Sequence, residues 1–288
     1  MTVLEALNGS THFLKDHQVE NPRLNAELLL AQSMGLSRED LYIHLHSQIK
    51  EGAREALGNL IQKRVSGEPL QYISGHQEFW SLDFKVDPHV LIPRPETELL
   101  VEQALSILLA APFRTAPRVL ELGTGSGAIA ISLAKEVKDI FIVATDISRE
   151  ALVLAKENAL RAGVERKIAF VNGDLFSPLQ NSRKKGPFDL IVSNPPYVTR
   201  SEIGRLAREV RKEPRIALDG GEDGLDFYRS IISQAPSYLQ RGGWLLLEMG
   251  QGQGPEVSAR IEEKGDFLNP QLLPDLSGRE RVVKVQKR

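Results

Sequence analysis

The sequence predicts an α/β protein, with a mainly parallel sheet covered by helices on both faces and a small N-terminal helical domain ahead of it. Three observations predict it. From about residue 118 onward, short apolar runs alternate with segments of helical period, the pattern of strand-helix-strand units. From residue 2 to about residue 66 the apolar positions recur at helical spacing alone. The length, 288 residues with 36 Lys and Arg against 38 Asp and Glu, suits one large or two modest globular domains. The absence of cysteine excludes a disulfide framework, a thiol nucleophile and a thiolate metal site. A formal net charge of −2 argues against a surface given over to polyanions, so no stable nucleic-acid partner is expected. No basic leader followed by an apolar stretch opens the chain. The longest apolar run, Ala104 to Phe113, is far short of the roughly 20 residues that cross a bilayer. A cytoplasmic location and no membrane partner are the resulting expectations.

The first domain is expected over residues 1–70. Asn21-Pro22 offers a cap followed by proline at the first helical position, Leu24, Leu28 and Leu29 supply a stripe, and Gly35 is a stop. Ser37 with Asp40 resembles a second cap. A third helix covers about Lys50 to Val65, with Leu57, Leu60 and Ile61 on one face, and ends at Ser66-Gly67-Glu68-Pro69. Residues 71–95 read as an extended or hairpin connector, from the short aromatic and β-branched runs Tyr72-Ile73, Glu78-Phe79-Trp80 and Phe84-Lys85-Val86. It leads into Leu91-Ile92-Pro93-Arg94-Pro95-Glu96-Thr97-Glu98, held extended by its prolines, with Glu96 and Glu98 suited to the first turn of a helix. The α/β domain is expected over residues 96–288. Its strands are Arg118 to Leu122, Ile140 to Thr145, Ile168 to Asn172, Phe188 to Ser193, Trp244 to Glu248 and Arg281 to Val285. Its helices are about Gly127 to Lys135, Arg149 to Ala162, Leu225 to Leu239 and Gly254 to Glu263. Ligands of such sheets bind at the carboxyl ends of the strands.

The first of these strands carries Glu121 and turns through Gly123-Thr124-Gly125-Ser126-Gly127 into a helix. Glycines there bring bare backbone close to a ligand. The loop fits S-adenosylmethionine, but Gly123, Gly125 and Ala128 also satisfy the dinucleotide pattern, so NAD stays open. Asp146 ends the second strand, where a carboxylate can accept both ribose hydroxyls; the alternative is an N-cap for the helix near Ser148. Asp174 closes the third strand and could accept from an adenine amino group while Leu175 or Phe176 covers the ring; the alternative is a turn residue.

The fourth strand ends in Asn194-Pro195-Pro196-Tyr197, and this segment separates the two nucleotides. The Asn194 side-chain carbonyl and the Pro195 backbone carbonyl can converge on one planar NH₂ group, and the prolines keep them rigid. Tyr197 offers a flat face for the same group. Two acceptors on a delocalised nitrogen favour its pyramidalisation as it attacks a methyl sulfonium. No metal is expected, since the six His show no ligand spacing.

Asn194 to Tyr197 with Glu121 to Gly127 resembles the class I S-adenosylmethionine-dependent N-methyltransferases that modify planar amino or amide groups. Three further blocks narrow the resemblance to the HemK/PrmC family of peptide chain release factor glutamine methyltransferases. They are Pro69 to Gly75 with Glu78-Phe79-Trp80, then Leu91 to Glu98, then Glu213 to Leu218 with Gly220-Gly221-Glu222-Asp223-Gly224-Leu225. The likeness runs from about residue 20 to the C-terminus. It implies a Rossmann-like fold and methylation of the glutamine amide nitrogen in the Gly-Gly-Gln motif of class 1 release factors, with S-adenosylhomocysteine as product. It also implies that Glu121 and Gly123, Thr124, Gly125, Ser126 and Gly127 border the methionine part of the cofactor. Asp146 then takes the ribose, Asp174 and Leu175 border the adenine, and Asn194, Pro195, Pro196 and Tyr197 hold the glutamine amide. Where the family commonly has a bulky residue after the third acid this chain has Leu175, with Phe176 as a substitute. The helical domain is implied to contact the release factor. An N6-adenine methyltransferase, which shares the tetrapeptide's chemistry, is the alternative that the charge balance disfavours.

Other features have plainer readings. Arg94 could meet the cofactor, the substrate or a salt-bridge partner. Arg205, Arg208, Arg211, Lys212 and Arg215, interleaved with Glu202, Glu209 and Glu213, read as a solvated helix face. Gly250-Gln251-Gly252-Gln253-Gly254 reads as a strand-to-helix loop.

Overall fold

A computed structural model describes residues 1–110, 116–180 and 186–288, which gather into two compact units, Met1–His76 with Ala207–Lys212 and Gln77–Leu206 with Glu213–Arg288.

The first unit is helical: α1 (Val3–Asp16), α2 (Pro22–Met34), α3 (Arg38–Ile43), α4 (Glu51–Val65) and α5 (Leu70–Ser74). A reciprocal capping box starts α1, with Glu5 N–H on Thr2 Oγ1 at 3.2 Å and Thr2 N–H on the Glu5 carboxylate at 2.7 Å. Ser37 caps α3 by accepting from Asp40 N–H at 3.0 Å. Asn21 departs from its expected capping role: it is left-handed (φ 47°) and makes no side-chain cap bond, leaving Pro22 to mark the first turn. Leu24 is exposed, because the face of α2 that packs carries Ala26, Leu29 and Leu30. These meet Val3, Leu7 and Leu14 of α1 and Leu57 and Ile61 of α4. Residues 71–74, expected at the start of the extended connector, instead belong to one helical turn, Leu70–Ser74, between Pro69 and a left-handed Gly75. The basic run is not one helix. It is broken into short turns at Val210–Lys212 and Arg215–Ala217, with Gly204 and Pro214 as interruptions, and within this unit Glu209 accepts from Arg64 at 2.6 Å.

The second unit opens within the hairpin β1 (His76–Phe79), β2 (Leu82–Lys85), whose first residue, His76, closes the first unit. It continues through α6 (Glu98–Ala110), β3 (Arg118–Leu122), α7 (Ala128–Glu136), β4 (Phe141–Asp146), α8 (Arg149–Ala162), β5 (Ile168–Asn172), β6 (Phe188–Ser193), α9 (Arg200–Ile203), α10 (Asp226–Gln234), β7 (Leu239–Glu248), α11 (Gly254–Lys264), β8 (Gln271–Pro274) and β9 (Glu280–Gln286). The last three residues of the Ala104–Phe113 run lie outside the described residues, and no described helix is long and apolar enough to cross a membrane.

The seven-stranded sheet has the order β5-β4-β3-β6-β7-β9-β8; its first five strands are parallel and β9 and β8 pair antiparallel. Strand alternation divides the core. Val119, Ile142, Ala144, Leu190 and Val192 face α6 and α7, while Leu120, Leu122, Val143, Ile191 and Leu245 face α10 and α11. The chain steps outward from β3 through β4 to β5 and then returns to β6 beside β3. That reversal opens a crevice outside the carboxyl ends of β3 and β6, the switch point at which such sheets bind ligands.

Candidate active site

The loop after β3 is built for close approach. Gly123 (φ 72°) and Gly125 (φ 55°) are left-handed, and nothing lies within 4 Å of where a Cβ would stand on either. The N–H groups of Gly123 and Thr124 both donate to Thr145 O, at 2.9 and 3.0 Å, tying the loop to β4. Asn158 of α8, 3% exposed, donates to Ser126 O at 3.0 Å and bonds both main-chain groups of Lys85, so it anchors loop and hairpin together.

Two acids flank the loop differently. Asp146 accepts from Gly125 N–H at 2.8 Å and from Ser148 N–H at 2.9 Å, one bond to each oxygen, leaving each with acceptor capacity. Burial raises its carboxyl pKa against those two bonds. The side-chain cap of α8 is Ser148, not Asp146. Glu121 lies under the loop and accepts from Thr124 Oγ1 at 2.6 Å. Burial foremost, with the nearby Asp146 charge, pushes its carboxyl up to about 8.

At the end of β6, Ser193 Oγ donates to Leu122 O at 2.7 Å, joining the two strand ends that frame the crevice. Asn194 Nδ2 donates to Thr97 Oγ1 at 3.1 Å, and Thr97 donates to Glu248 Oε2 at 2.7 Å. Tyr197 is held from behind. Its carbonyl accepts from Gln253 Nε2 at 3.1 Å, and Gln253 Oε1 accepts from Gly250 N–H at 2.9 Å. Burial and the Glu248 charge push the Tyr197 hydroxyl up to about 12. Arg94 pairs with the buried Glu213, which also accepts from Ile92 N–H at 3.1 Å; Glu213 is therefore a clamp and not part of a solvated face.

A cavity of about 280 Å³ joins these parts. Of the residues singled out in the sequence, Gly123, Thr124, Gly125, Ser126, Asp146, Asp174, Leu175, Asn194, Pro195 and Pro196 line it. Glu121, Gly127 and Tyr197 do not. Glu121 supports the loop, while Gly127 lets α7 approach α8, since a Cβ there would stand 2.8 Å from Ile131 Cδ1 and 3.3 Å from the Ala155 Cβ. Tyr197 packs against the core beside α10. Phe176 is fully buried and stacks on Tyr238 at 4.6 Å, so it does not replace Leu175 at the cavity. The sequence reading missed Thr97, Ile147, Ile216 and Phe227 as lining residues. Thr97 and Ile216 lie inside the blocks Leu91 to Glu98 and Glu213 to Leu218, and Ile147 directly follows Asp146, whereas Phe227 carries no local signal.

Residues 5–75 match the family model described as the PrmC N-terminal domain, and residues 97–222 that of the methyltransferase small domain. The chain is 42% identical over 288 residues to the release factor glutamine methyltransferase of Moorella thermoacetica, covering 100% of this chain and 99% of the relative. It is 44% identical over 283 residues to that of Geobacter sulfurreducens, covering 98% and 95%. Among solved structures, a methyltransferase from Pyrococcus furiosus matches with a TM-score of 0.53 at 18% identity, over 80% of this chain and 98% of that one. The hMettl16 catalytic domain in complex with MAT2A 3'UTR hairpin 6 matches with a TM-score of 0.56 at 16% identity, over 80% and 81%. Those two likenesses concern the fold alone. Identity above 40% along the whole length, together with a glycine loop and an Asn194–Pro196 segment that meet at one cavity, places the chain in the release factor glutamine methyltransferase family.

Proposed function

We propose that the protein methylates the side-chain amide nitrogen of the glutamine in the Gly-Gly-Gln motif of class 1 release factors, using S-adenosylmethionine. The observation that carries this reading is that one cavity is lined both by the open glycine backbone with Asp146 and by Asn194-Pro195-Pro196. The residues present fit the cofactor: bare backbone at Gly123 and Gly125, acceptor capacity on Asp146, and Asp174 with Leu175 further along the wall. Gly123 to Ser126 would border its methionine part, with Glu121 and Gly127 supporting that loop. Asp146 would take the ribose hydroxyls, and Asp174 and Leu175 the adenine. When bound, S-adenosylmethionine supplies an electrophilic methyl on sulfur and leaves as S-adenosylhomocysteine.

The protein's own residues then address a nucleophile that is poor by nature. The lone pair of a carboxamide nitrogen is delocalised, and no proton can be removed from it at neutral pH before it attacks; the C–N bond forms as the C–S bond breaks, and the N–H proton then made acidic leaves to solvent. Asn194 Oδ1 and the Pro195 carbonyl accept its two N–H groups, hold the nitrogen in line and favour its pyramidal form. Tyr197, which packs against the core and does not line the cavity, holds Pro195 and Pro196 in place from behind and is not expected to touch that group. Residues of the PrmC-like N-terminal unit contact the release factor, in the cytoplasm.

The test incubates the protein and labelled cofactor with a release factor, its Gln→Ala variant, and DNA. Label is expected on the intact release factor alone. Asn194→Ala is expected to lower turnover by about 10²- to 10³-fold while cofactor binding persists. Label on DNA and not on the release factor overturns the reading in favour of an adenine amine as acceptor.

A further inference from the structure

We propose that Thr97 and Glu248 are positioning residues that decide which way round the Asn194 carboxamide sits, turning its oxygen to the cavity. The proposal rests on the reading of Asn194 as an acceptor for the substrate NH₂ group. An asparagine side chain presents an acceptor and a donor of nearly the same shape, and only one of them suits an NH₂ group. Something must choose between them, and proton counting shows what does. An ionised Glu248 can only accept. The Thr97 hydroxyl has a single proton, which it gives to Glu248 at 2.7 Å. Thr97 then has only lone pairs for Asn194, which must present its NH₂ there, at 3.1 Å. The carboxamide oxygen is left on the opposite side. Thr97 is 5% exposed and Glu248 1%, so water does not compete for these bonds.

The three residues come from separate parts of the second unit: the turn Pro95–Thr97 ahead of α6, the end of β6, and the end of β7. Tyr228 of α10 fixes the last of these by donating to Glu248 O at 3.0 Å. The charged and titratable groups that act on Glu248 are Arg281 on β9, Arg94 and Glu96 ahead of α6, Tyr197, and Tyr228 on α10. Burial outweighs the cations and pushes the Glu248 carboxyl up to about 7. Once protonated, Glu248 can itself donate, Thr97 is released to donate to Asn194, and the choice of orientation is lost. Turnover is therefore expected to fall as pH drops through that region.

The test compares Thr97→Val, Thr97→Ser and Glu248→Gln with the wild type. Thr97→Val keeps the shape and removes the hydroxyl. It is expected to lower kcat by up to about 10²-fold with KM for the release factor and cofactor affinity little changed, and Thr97→Ser to restore turnover. Glu248→Gln, whose amide can donate, is expected to lower kcat and to flatten the rise of kcat around neutral pH. Hydrogen exchange of the Asn194 side-chain NH₂, assigned by NMR against Asn194→Ala, reads the relay without substrate: slow in the wild type and Thr97→Ser, faster in Thr97→Val. Wild-type kcat and unchanged exchange in Thr97→Val overturn the proposal, as does equal impairment of Thr97→Val and Thr97→Ser. A wild type that leaves the release factor unlabelled refutes the function, whereas the exchange measurement still decides the relay.

Discussion

Replacing Gly220, which does not line the cavity, by alanine perturbs the tetrapeptide from behind. A Cβ on Gly220 would stand 2.8 Å from Tyr197 Cα, 2.9 Å from Pro196 O and 2.9 Å from Tyr197 C. All three are backbone atoms, so no rotamer change relieves the contact, and the segment must move by about half an ångström to restore van der Waals distance. Gly220 cannot retreat, because its N–H donates to Val198 O at 2.8 Å and its carbonyl accepts from Asp226 N–H at 3.1 Å. Its φ is not in the left-handed region, so alanine adds no strain of its own. Overpacking of this kind costs about 1–3 kcal/mol of stability. Since a misplacement of about 1 Å costs about 10²-fold in rate, kcat is expected to fall roughly 10-fold or more, with cofactor affinity retained because the glycine loop is untouched. The assay is steady-state methylation of the release factor, with calorimetric titration of the cofactor and thermal melts. Gly204→Ala is the control: a Cβ there meets nothing within 4 Å, and it should behave as wild type. Wild-type kcat in Gly220→Ala would refute the claim that tetrapeptide placement limits turnover.

Asp146→Ala removes an acceptor that also ties down Gly125 and Ser148, so cofactor affinity should drop by about 10- to 100-fold; calorimetry showing unchanged affinity would take Asp146 out of the ribose site. Glu121, held near 8 when folded and near 4.5 when unfolded, keeps a proton in the folded state that the unfolded chain releases, so its contribution falls as pH rises between those values. Glu121→Gln should therefore gain stability relative to wild type from pH 5 to 8, by a few kcal/mol at most, and parallel denaturant-derived stabilities across that range would contradict the buried, protonated state. Asn158→Ala strands the main-chain groups of Lys85 and the Ser126 carbonyl. A loss of about 2–4 kcal/mol with weakened cofactor binding is expected, and retention of both would show that the anchor is dispensable.

What was legible in the sequence was local. The apolar runs mark five parallel strands, because β3, β4, β6 and β7 bury residues on both faces and β5 is apolar over Ile168–Val171, whereas β8 is a four-residue edge strand with no buried residue and leaves no such mark. The glycine loop and Asn194-Pro195-Pro196-Tyr197 were readable because each concentrates its chemistry in consecutive residues whose backbone conformation follows from Gly and Pro themselves. The basic run is misleading in the sequence, because its charge pattern suggests one helix while Gly204 and Pro214 break it, and Glu213 has the look of surface although it is buried against Arg94.

The sequence by itself determined the α/β class, the family the chain resembles and the tetrapeptide as a candidate site. Only the tertiary structure decided what stands behind that segment: Thr97 and Glu248 on Asn194, Gln253 on the Tyr197 carbonyl, and Gly220 against the Tyr197 backbone. The physical reason is the range of the interactions involved. Turn geometry and side-chain period act between near neighbours and leave a trace in the sequence. A hydrogen bond between residues 151 positions apart, as between Thr97 and Glu248, leaves none until the sheet brings its strand ends together.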